Sequence, residues 1–462
     1  MKIFMLGWEY PPYISGGLGT ACEGLTKSLA KLGIKIDFVV PRLSGRENAP
    51  HMTLFDASTG KMLGKDVDDP SQSPVKFNPN LSLIGTPALI SAYCKPEEYA
   101  QWVKDFRPGE WNGEIPPDIE AILESEKRES GGKTGASQYG TDLFQEVEHY
   151  ARNAVKIART RQFDIIHAHD WMTYAAGIAL ARLTGKPLIT HVHSLEYDRS
   201  GPVGNQRIKQ IEAAGVTAAT VAIAVSYYTR SIVNMEHKVP LERISVVHNG
   251  VYTKQVRKAY RDPDSPTKIV LFMGRITFQK GPDYFIEAAA RVIPYLPNTM
   301  FIVAGTGDML PRIQNRVHEM GLARHFLFPG FMKGPEVERM YSMADVYIMP
   351  SVSEPFGIAP LEAMSLDIPV IISKQSGVSE VLEHALKVDF WDIERMAHLI
   401  IGVLKYREVR DDIIGMAREE VKRIHWDAAA AKTLEVYKQV HNAAQAGAKT
   451  VHNVAKSPRR VK

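Results

Sequence analysis

Short apolar runs alternate with stretches of helical period along most of the chain. Ile3 to Leu6 and Lys35 to Val40 read as buried strands, and the spacing between them predicts a helix from about Leu18 to Leu32, closed by Gly33. After a long polar interval the rhythm returns with a helix near Asp142 to Arg161. Strands are expected at Asp164 to Ala168, Pro187 to Val192, Thr220 to Val225 and Ile244 to Val247. A second alternating set opens at Ile269 to Gly274, with strands at Met300 to Ala304, Phe326 to Phe328, Val346 to Met349 and Val370 to Ile372. Helices near Ile393 to Tyr406, Glu408 to Arg423 and Asp427 to Ala443 close the pattern. Alternation of this kind predicts an α/β fold of parallel sheets with helices on both faces.

Two interruptions organise the chain. Residues of about 44–140 are rich in Pro, Gly, Ser and acidic side chains and read as an insertion decorating the first domain. Residues 253–267 contain Asp262-Pro263-Asp264-Ser265-Pro266, the composition of a hinge. The expected division is therefore a first domain over 1–252, a second over 268–426, a helix over 427–445, and a disordered basic tail over 446–462. Two doubly wound, Rossmann-like domains then face each other. Ligands of such sheets bind beyond the carboxyl ends of the strands, which makes the inter-domain cleft the default site.

Composition removes several alternatives. The chain has 462 residues, 45% apolar and 23% charged, a balance that supports sizeable cores. A net charge of +4 is small for this length and gives no footing for a nucleic-acid or membrane surface. Its two cysteines, Cys22 and Cys94, form no CxxC or Cys/His spacing, so reduced thiols in a cytoplasmic protein are expected. The opening apolar run is too short for a signal peptide, and no stretch is long enough for a membrane span.

Four segments carry candidate chemistry. Gly16-Gly17-Leu18-Gly19 joins the first strand to a helix, where glycines let backbone amides approach an anion. A dehydrogenase reading fails, because Cys22 stands where GxGxxG needs its third glycine. Taken by itself, this loop reads first as a flexible turn. The second and third segments are His167-Ala168-His169-Asp170-Trp171 and His191-Val192-His193-Ser194-Leu195-Glu196, which run buried strands into polar ends. His167 and His191 read as structural. His169 and His193, at the expected mouths, are candidates for sugar hydroxyls, and no third clustered ligand for a metal is evident.

In the second domain, Arg275 and Lys280 lie on one loop after a strand, where two cations suit a diphosphate. Ser353-Glu354-Pro355-Phe356-Gly357-Ile358-Ala359-Pro360-Leu361-Glu362 follows a buried strand and opens a helix. Its amides at Gly357 and Ile358 point at a phosphate, with Phe356 in the same turn. Glu362 sits one turn on, placed for ribose hydroxyls, and Glu354 faces the sugar. An acidic helix start complementing the dipole explains Glu354 alone but not the whole set. The triplets Asp66-Val67-Asp68 and Asp262-Pro263-Asp264 lie in polar loops and read as turns rather than metal sites.

In this order and at these strand ends the segments resemble the GT-B glycosyltransferases of families 4 and 5, which include glycogen synthases. The resemblance runs from Gly16-Gly17-Leu18 through His169-Asp170-Trp171, His248-Asn249-Gly250-Val251, Gly274-Arg275 with Lys280, Ala304-Gly305-Thr306-Gly307 and the E-x7-E pair Glu354 and Glu362 to Trp426. It implies transfer of a hexose, with retention, from a nucleotide sugar to an acceptor, without a metal ion or other cofactor. His169 would contact the sugar, Arg275 and Lys280 would hold the diphosphate, Glu354 would bind sugar hydroxyls and Glu362 the ribose. Gly16, Gly17, Leu18, Gly305, Phe356, Gly357 and Ile358 would line the donor. His193, Glu196 and Asn249 would touch sugar or acceptor, and the last helix would cross back to brace the first domain.

Glycogen and starch synthases that use ADP-glucose usually carry Lys two residues before the first glycine of the loop, where this chain has Ile14. That weighs against ADP-glucose and leaves UDP-glucose, or another donor, open. Gly7-Trp8-Glu9-Tyr10-Pro11-Pro12 and Lys387-Val388-Asp389-Phe390-Trp391 look like glycogen-synthase-like members, so an α-glucan acceptor is expected. The alternatives are a lipid, surface-polysaccharide or small-molecule acceptor, and, in a different class, a sugar-nucleotide epimerase.

Overall fold

The computed structural model describes residues 1–12, 16–66, 68, 71, 73–77, 143–252, 265–332 and 334–456, with side chains to 446. Ile14, Cys94, most of the expected insertion and most of the expected hinge lie outside the described residues.

Among the described residues the strands form two sheets. The first has the order β4-β3-β2-β1-β5-β6-β7-β8. Its strands are β1 (Lys2–Leu6), β2 (Lys35–Val40), β3 (Thr53–Asp56), β4 (Met62–Gly64), β5 (Ile165–His169), β6 (Leu188–Val192), β7 (Val221–Ala224) and β8 (Ile244–Val246). Only β4 runs antiparallel to its neighbour. The second has the order β11-β10-β9-β12-β13-β14 and is parallel throughout. Its strands are β9 (Lys268–Met273), β10 (Thr299–Ala304), β11 (Phe326–Gly330), β12 (Val346–Met349), β13 (Val370–Ser373) and β14 (Leu386–Val388). Strand order reverses at β1/β5 in one sheet and at β9/β12 in the other, and crevices open at the carboxyl ends of such switch points. His169 ends β5 and Arg275 follows β9, while Gly16 and Glu354 lie on the segments after β1 and β12.

Three expectations need correction. The stretch that begins at residue 44 is not all decoration, because β3 and β4 extend the first sheet. Thr53, Leu54 and Phe55 are buried, a short apolar run masked by polar flanks. Asp66 and Asp68 are not bare turn residues: both pair with the Arg161 guanidinium, at 2.6 and 2.9 Å, and Asp68 also pairs with Lys2. Finally, the last helix does not end near 445 but runs from Trp426 to Lys456; residues 457–462 lie outside the described residues.

That helix packs into the first domain. Trp426, Ala430, Tyr437 and Val440 join the core formed by Ile3, Met5, Cys22 and Leu25. The indole lies where a Cβ on Gly24 would come within 2.3 Å, so only glycine fits there on the helix Gly17–Lys31. Other contacts tie the two domains directly. Ser226 Oγ donates to the Pro355 carbonyl at 2.6 Å, and the Glu380 carboxylate accepts from the amides of Tyr227 and Tyr228 at 2.9 and 2.7 Å.

Candidate active site

In the second domain, β12 delivers Ser351, Ser353 and Glu354 to the crevice. The Glu354 amide donates to Gln375 O and the Gly377 amide to Glu354 O, both at 2.9 Å, which holds this segment like an extra strand. Lys280 Nζ then lies 2.5 Å from Glu354 Oε2, and Ser351 Oγ donates to the same oxygen at 3.1 Å. Gly357 has φ +98°, a left-handed conformation that favours glycine, and turns the chain into the helix Ala359–Met364. Glu362 accepts from Tyr341 Oη at 3.3 Å. The Phe356 side chain is buried in the core, so only its backbone can face a ligand. Ile358 packs against cores of both domains.

Arg275 is exposed beyond the end of β9. Its loop lies against the turn after β10: Ile276 N donates to Thr306 O at 2.9 Å, and a Cβ on Gly305 would meet Gly274 O at 1.9 Å. Glycine at 305 is thus dictated by the crossing of two loops. Gly16 and Gly17 differ, since among the described residues a Cβ at either would meet nothing within 4 Å.

The first domain supplies a stack of histidines. His169 pairs in register with His191 across β5 and β6, and the rings of His167 and His169 stack at 4.3 Å, those of His191 and His193 at 4.2 Å. Burial pushes all four well toward the neutral form, His193 to about 3. His169 Nδ1 and His193 Nε2 share a hydrogen bond of 2.9 Å.

The two candidate histidines differ in exposure. His169 is fully buried at 0% exposure, whereas His193 is half-buried. The cause is Asp170, which leaves β5 at φ +60° and accepts from the amides of His193 and Ser194, at 2.6 and 3.3 Å. That carboxyl, raised by burial to about 7, draws the β6 exit over His169. His193 is thus the more exposed of the two rings, and His169 is hydrogen-bonded to it. Replacing His193 by Ala is expected to lower kcat by roughly 10²-fold, with His169→Ala acting more weakly and mainly through KM. Equal kcat losses in steady-state assays of both variants would contradict this order.

Glu196 is buried. Its carboxylate accepts from Asn205 N at 2.9 Å and Arg199 Nε at 3.2 Å, which locks the turn after β6. Asn249 is buried where the chain passes the start of the last helix; next to it, a Cβ on Gly250 would meet the Trp426 backbone at 2.3 Å. One residue absent from the sequence reading is Asp198. Its carboxyl, pushed up to about 6 by burial, accepts from Ser353 Oγ of the other domain at 2.6 Å. Nothing local marks it, because its partner lies 155 positions away.

Metal-ligating groups do cluster, which the sequence spacing concealed. Cys22 with His169 and His193, and His167 with His169 and His191, bring their donor atoms within 4.8 Å of one another. The ring planes lie 5–28° apart, so their lone pairs run side by side rather than converging on one point. Among the described residues no helix is long and apolar enough to cross a membrane.

The profile described as glycosyl transferases group 1 matches residues 254–420, that of glycosyltransferase family 4 matches 141–255, and that of the starch synthase catalytic domain matches 2–74. Glycogen synthase of Mycobacterium tuberculosis is 24% identical, over 95% of this chain and 94% of its own. D-inositol 3-phosphate glycosyltransferase of Acidothermus cellulolyticus is 30% identical, over 60% of this chain and 67% of its own. Sucrose-phosphate synthase of Thermosynechococcus elongatus has a similar structure (TM-score 0.67, 19% identity, 96% and 99% covered). Two facing Rossmann-like domains with these matches define a glycosyltransferase of GT-B architecture. The chain belongs to the glycosyltransferases of families 4 and 5, the group that contains the glycogen synthases.

Proposed function

We propose that this protein transfers glucose, with retention and without a metal ion, from UDP-glucose or ADP-glucose to the end of an α-glucan. The observation that carries the reading is the Lys280–Glu354 pair, next to which Asp198 of the other domain accepts from Ser353. A bound donor exchanges this pair. Its diphosphate takes Lys280 and the exposed Arg275, its sugar hydroxyls take Glu354 and His193, and its ribose takes Glu362. The bond from the anomeric carbon to the diphosphate breaks with its electron pair on phosphate oxygen. The acceptor oxygen bonds to the same face of that carbon, and its proton passes to the departing diphosphate. Lys280 and Arg275 stabilise the charge that develops there, the part a metal ion plays elsewhere. Glu354, held by Lys280 and Ser351, is read as a sugar ligand rather than a nucleophile.

The starch synthase profile at 2–74 and the similarity to a glycogen synthase support a glucan acceptor. The similarity to a D-inositol 3-phosphate glycosyltransferase favours a small-molecule acceptor as the second reading. Nucleoside diphosphate release is measured with each glucose donor, with and without glycogen and EDTA. We expect release from one donor that needs glycogen and survives EDTA. Release without glycogen that continues with inositol phosphate would replace the glucan. Release that needs no acceptor of any kind would favour an epimerase.

A further inference from the structure

We propose a second carbohydrate site, on the outer face of the second domain between the helices Pro282–Val292 and Leu310–Glu319, that holds a neutral oligosaccharide arm of the acceptor. The choice of α-glucan as that arm rests on the reading above.

A cleft of ≈ 750 Å³ opens there, within the roughly 300–1,000 Å³ range of ligand pockets. Phe278, Tyr284, Asp283, Glu287, Arg312 and Asn315 line it. Its charges argue for a neutral occupant. Arg312 and Arg316 face Asp283, Glu287 and Glu319, two cations against three carboxylates, and the pairs Arg312–Asp283 and Arg316–Glu287 are closed at 3.1 and 2.8 Å. The lining groups thus carry no excess of positive charge to draw a phosphate or nucleotide. The same groups offer a fan of planar donors and acceptors of the kind that bridges neighbouring hydroxyls.

Aromatic rings supply the complement. Phe278 is 53% exposed and Trp391 58%, both unusually bare for their size. The Tyr284 and Phe390 centroids lie 5.0 Å apart and those of Phe390 and Trp391 4.8 Å apart, so a row of rings leads from the cleft to its rim. Flat apolar faces beside hydroxyl-binding groups match a pyranose, which presents C–H bonds on its faces and hydroxyls at its edge. A protein partner would favour a continuous apolar patch, and here ion pairs interrupt it.

The position gives the site a purpose. Phe278 lies on the same single turn, Phe278–Lys280, as the lysine of the crevice. A polymer held along this face is tethered beside the transfer site, which raises the local concentration of its ends.

Intrinsic tryptophan fluorescence is titrated with maltoheptaose for the full chain and for Trp391→Ala and Asn315→Ala, two exposed substitutions. Kinetics with glycogen and with maltotriose run in parallel. We expect quenching that is lost in Trp391→Ala, and a KM for glycogen raised roughly tenfold in both variants. The kcat on maltotriose should stay unchanged. If the wild type elongates glycogen and neither variant alters quenching or KM, the site is wrong and the glucan reading stands. Quenching that depends on Trp391 in a protein unable to elongate glycogen would keep the site and sink the glucan reading. Absence of any maltoheptaose binding outside the crevice overturns the site outright.

Discussion

Replacing Lys280 by Ala lowers kcat for sugar transfer by about 10²–10³-fold, the usual loss when one preorganised group facing developing charge is removed, with a far smaller effect on donor affinity. The lysine is the only partner of Glu354 at ion-pair distance among the described residues, at 2.5 Å, and it keeps 24% of its side chain exposed to the crevice. In the ground state its charge is already matched by Glu354, so binding a donor exchanges one partner for another and gains little. In the transition state the departing diphosphate carries more charge than before, and the same ammonium then gains more. The effect therefore belongs in kcat. Donor affinity from calorimetry beside steady-state kcat separates the two quantities. A kcat within twofold of wild type would remove Lys280 from the chemistry.

The largest stability effect is expected far from the crevice. Trp426→Ala should destabilise the first domain by about 3–5 kcal/mol, the range for emptying a buried aromatic site. The indole is 2% exposed and fills the notch over Gly24, and Gly250 packs on the backbone of the same residue. The helix Gly17–Lys31 and the strands of the first sheet cannot collapse into that volume, since Tyr437 and Val440 hold the next part of the same helix in place. Two domains make a single unfolding free energy ill-defined, so the measurement is a denaturant scan with probes in each domain. The first-domain transition should move to lower denaturant and the second should stay. A shift confined to the second domain would mean that the helix does not brace the first.

Much of the scaffold was legible, because strands buried on both faces leave continuous apolar runs such as Ile269-Val270-Leu271-Phe272. Strand β3 was missed because Thr53–Asp56 is short and lies in a polar stretch whose burial comes from neighbours. The crevice end of the second domain was readable from Lys280 and Glu354, each placed just past a strand. The full burial of His169 was not legible: period two puts it on the same face as His167, but nothing in that spacing shows Asp170 binding the loop after the next strand. Asp198, Ser353 and Glu380 were invisible as a set, since each acts on a residue more than a hundred positions away in the other domain.

Glu380 carries a consequence of its own. The helix Tyr227–His237 belongs to the first domain, yet two of its leading amides are satisfied by this carboxylate from the second, which also accepts from His248 at 2.8 Å. A cap of this kind is worth about 1 kcal/mol to the helix that receives it. Parting the domains by more than a hydrogen-bond length strips it away and exposes a frayed first turn. The order of one secondary-structure element and the width of the crevice are thus two readings of a single equilibrium, and each biases the other.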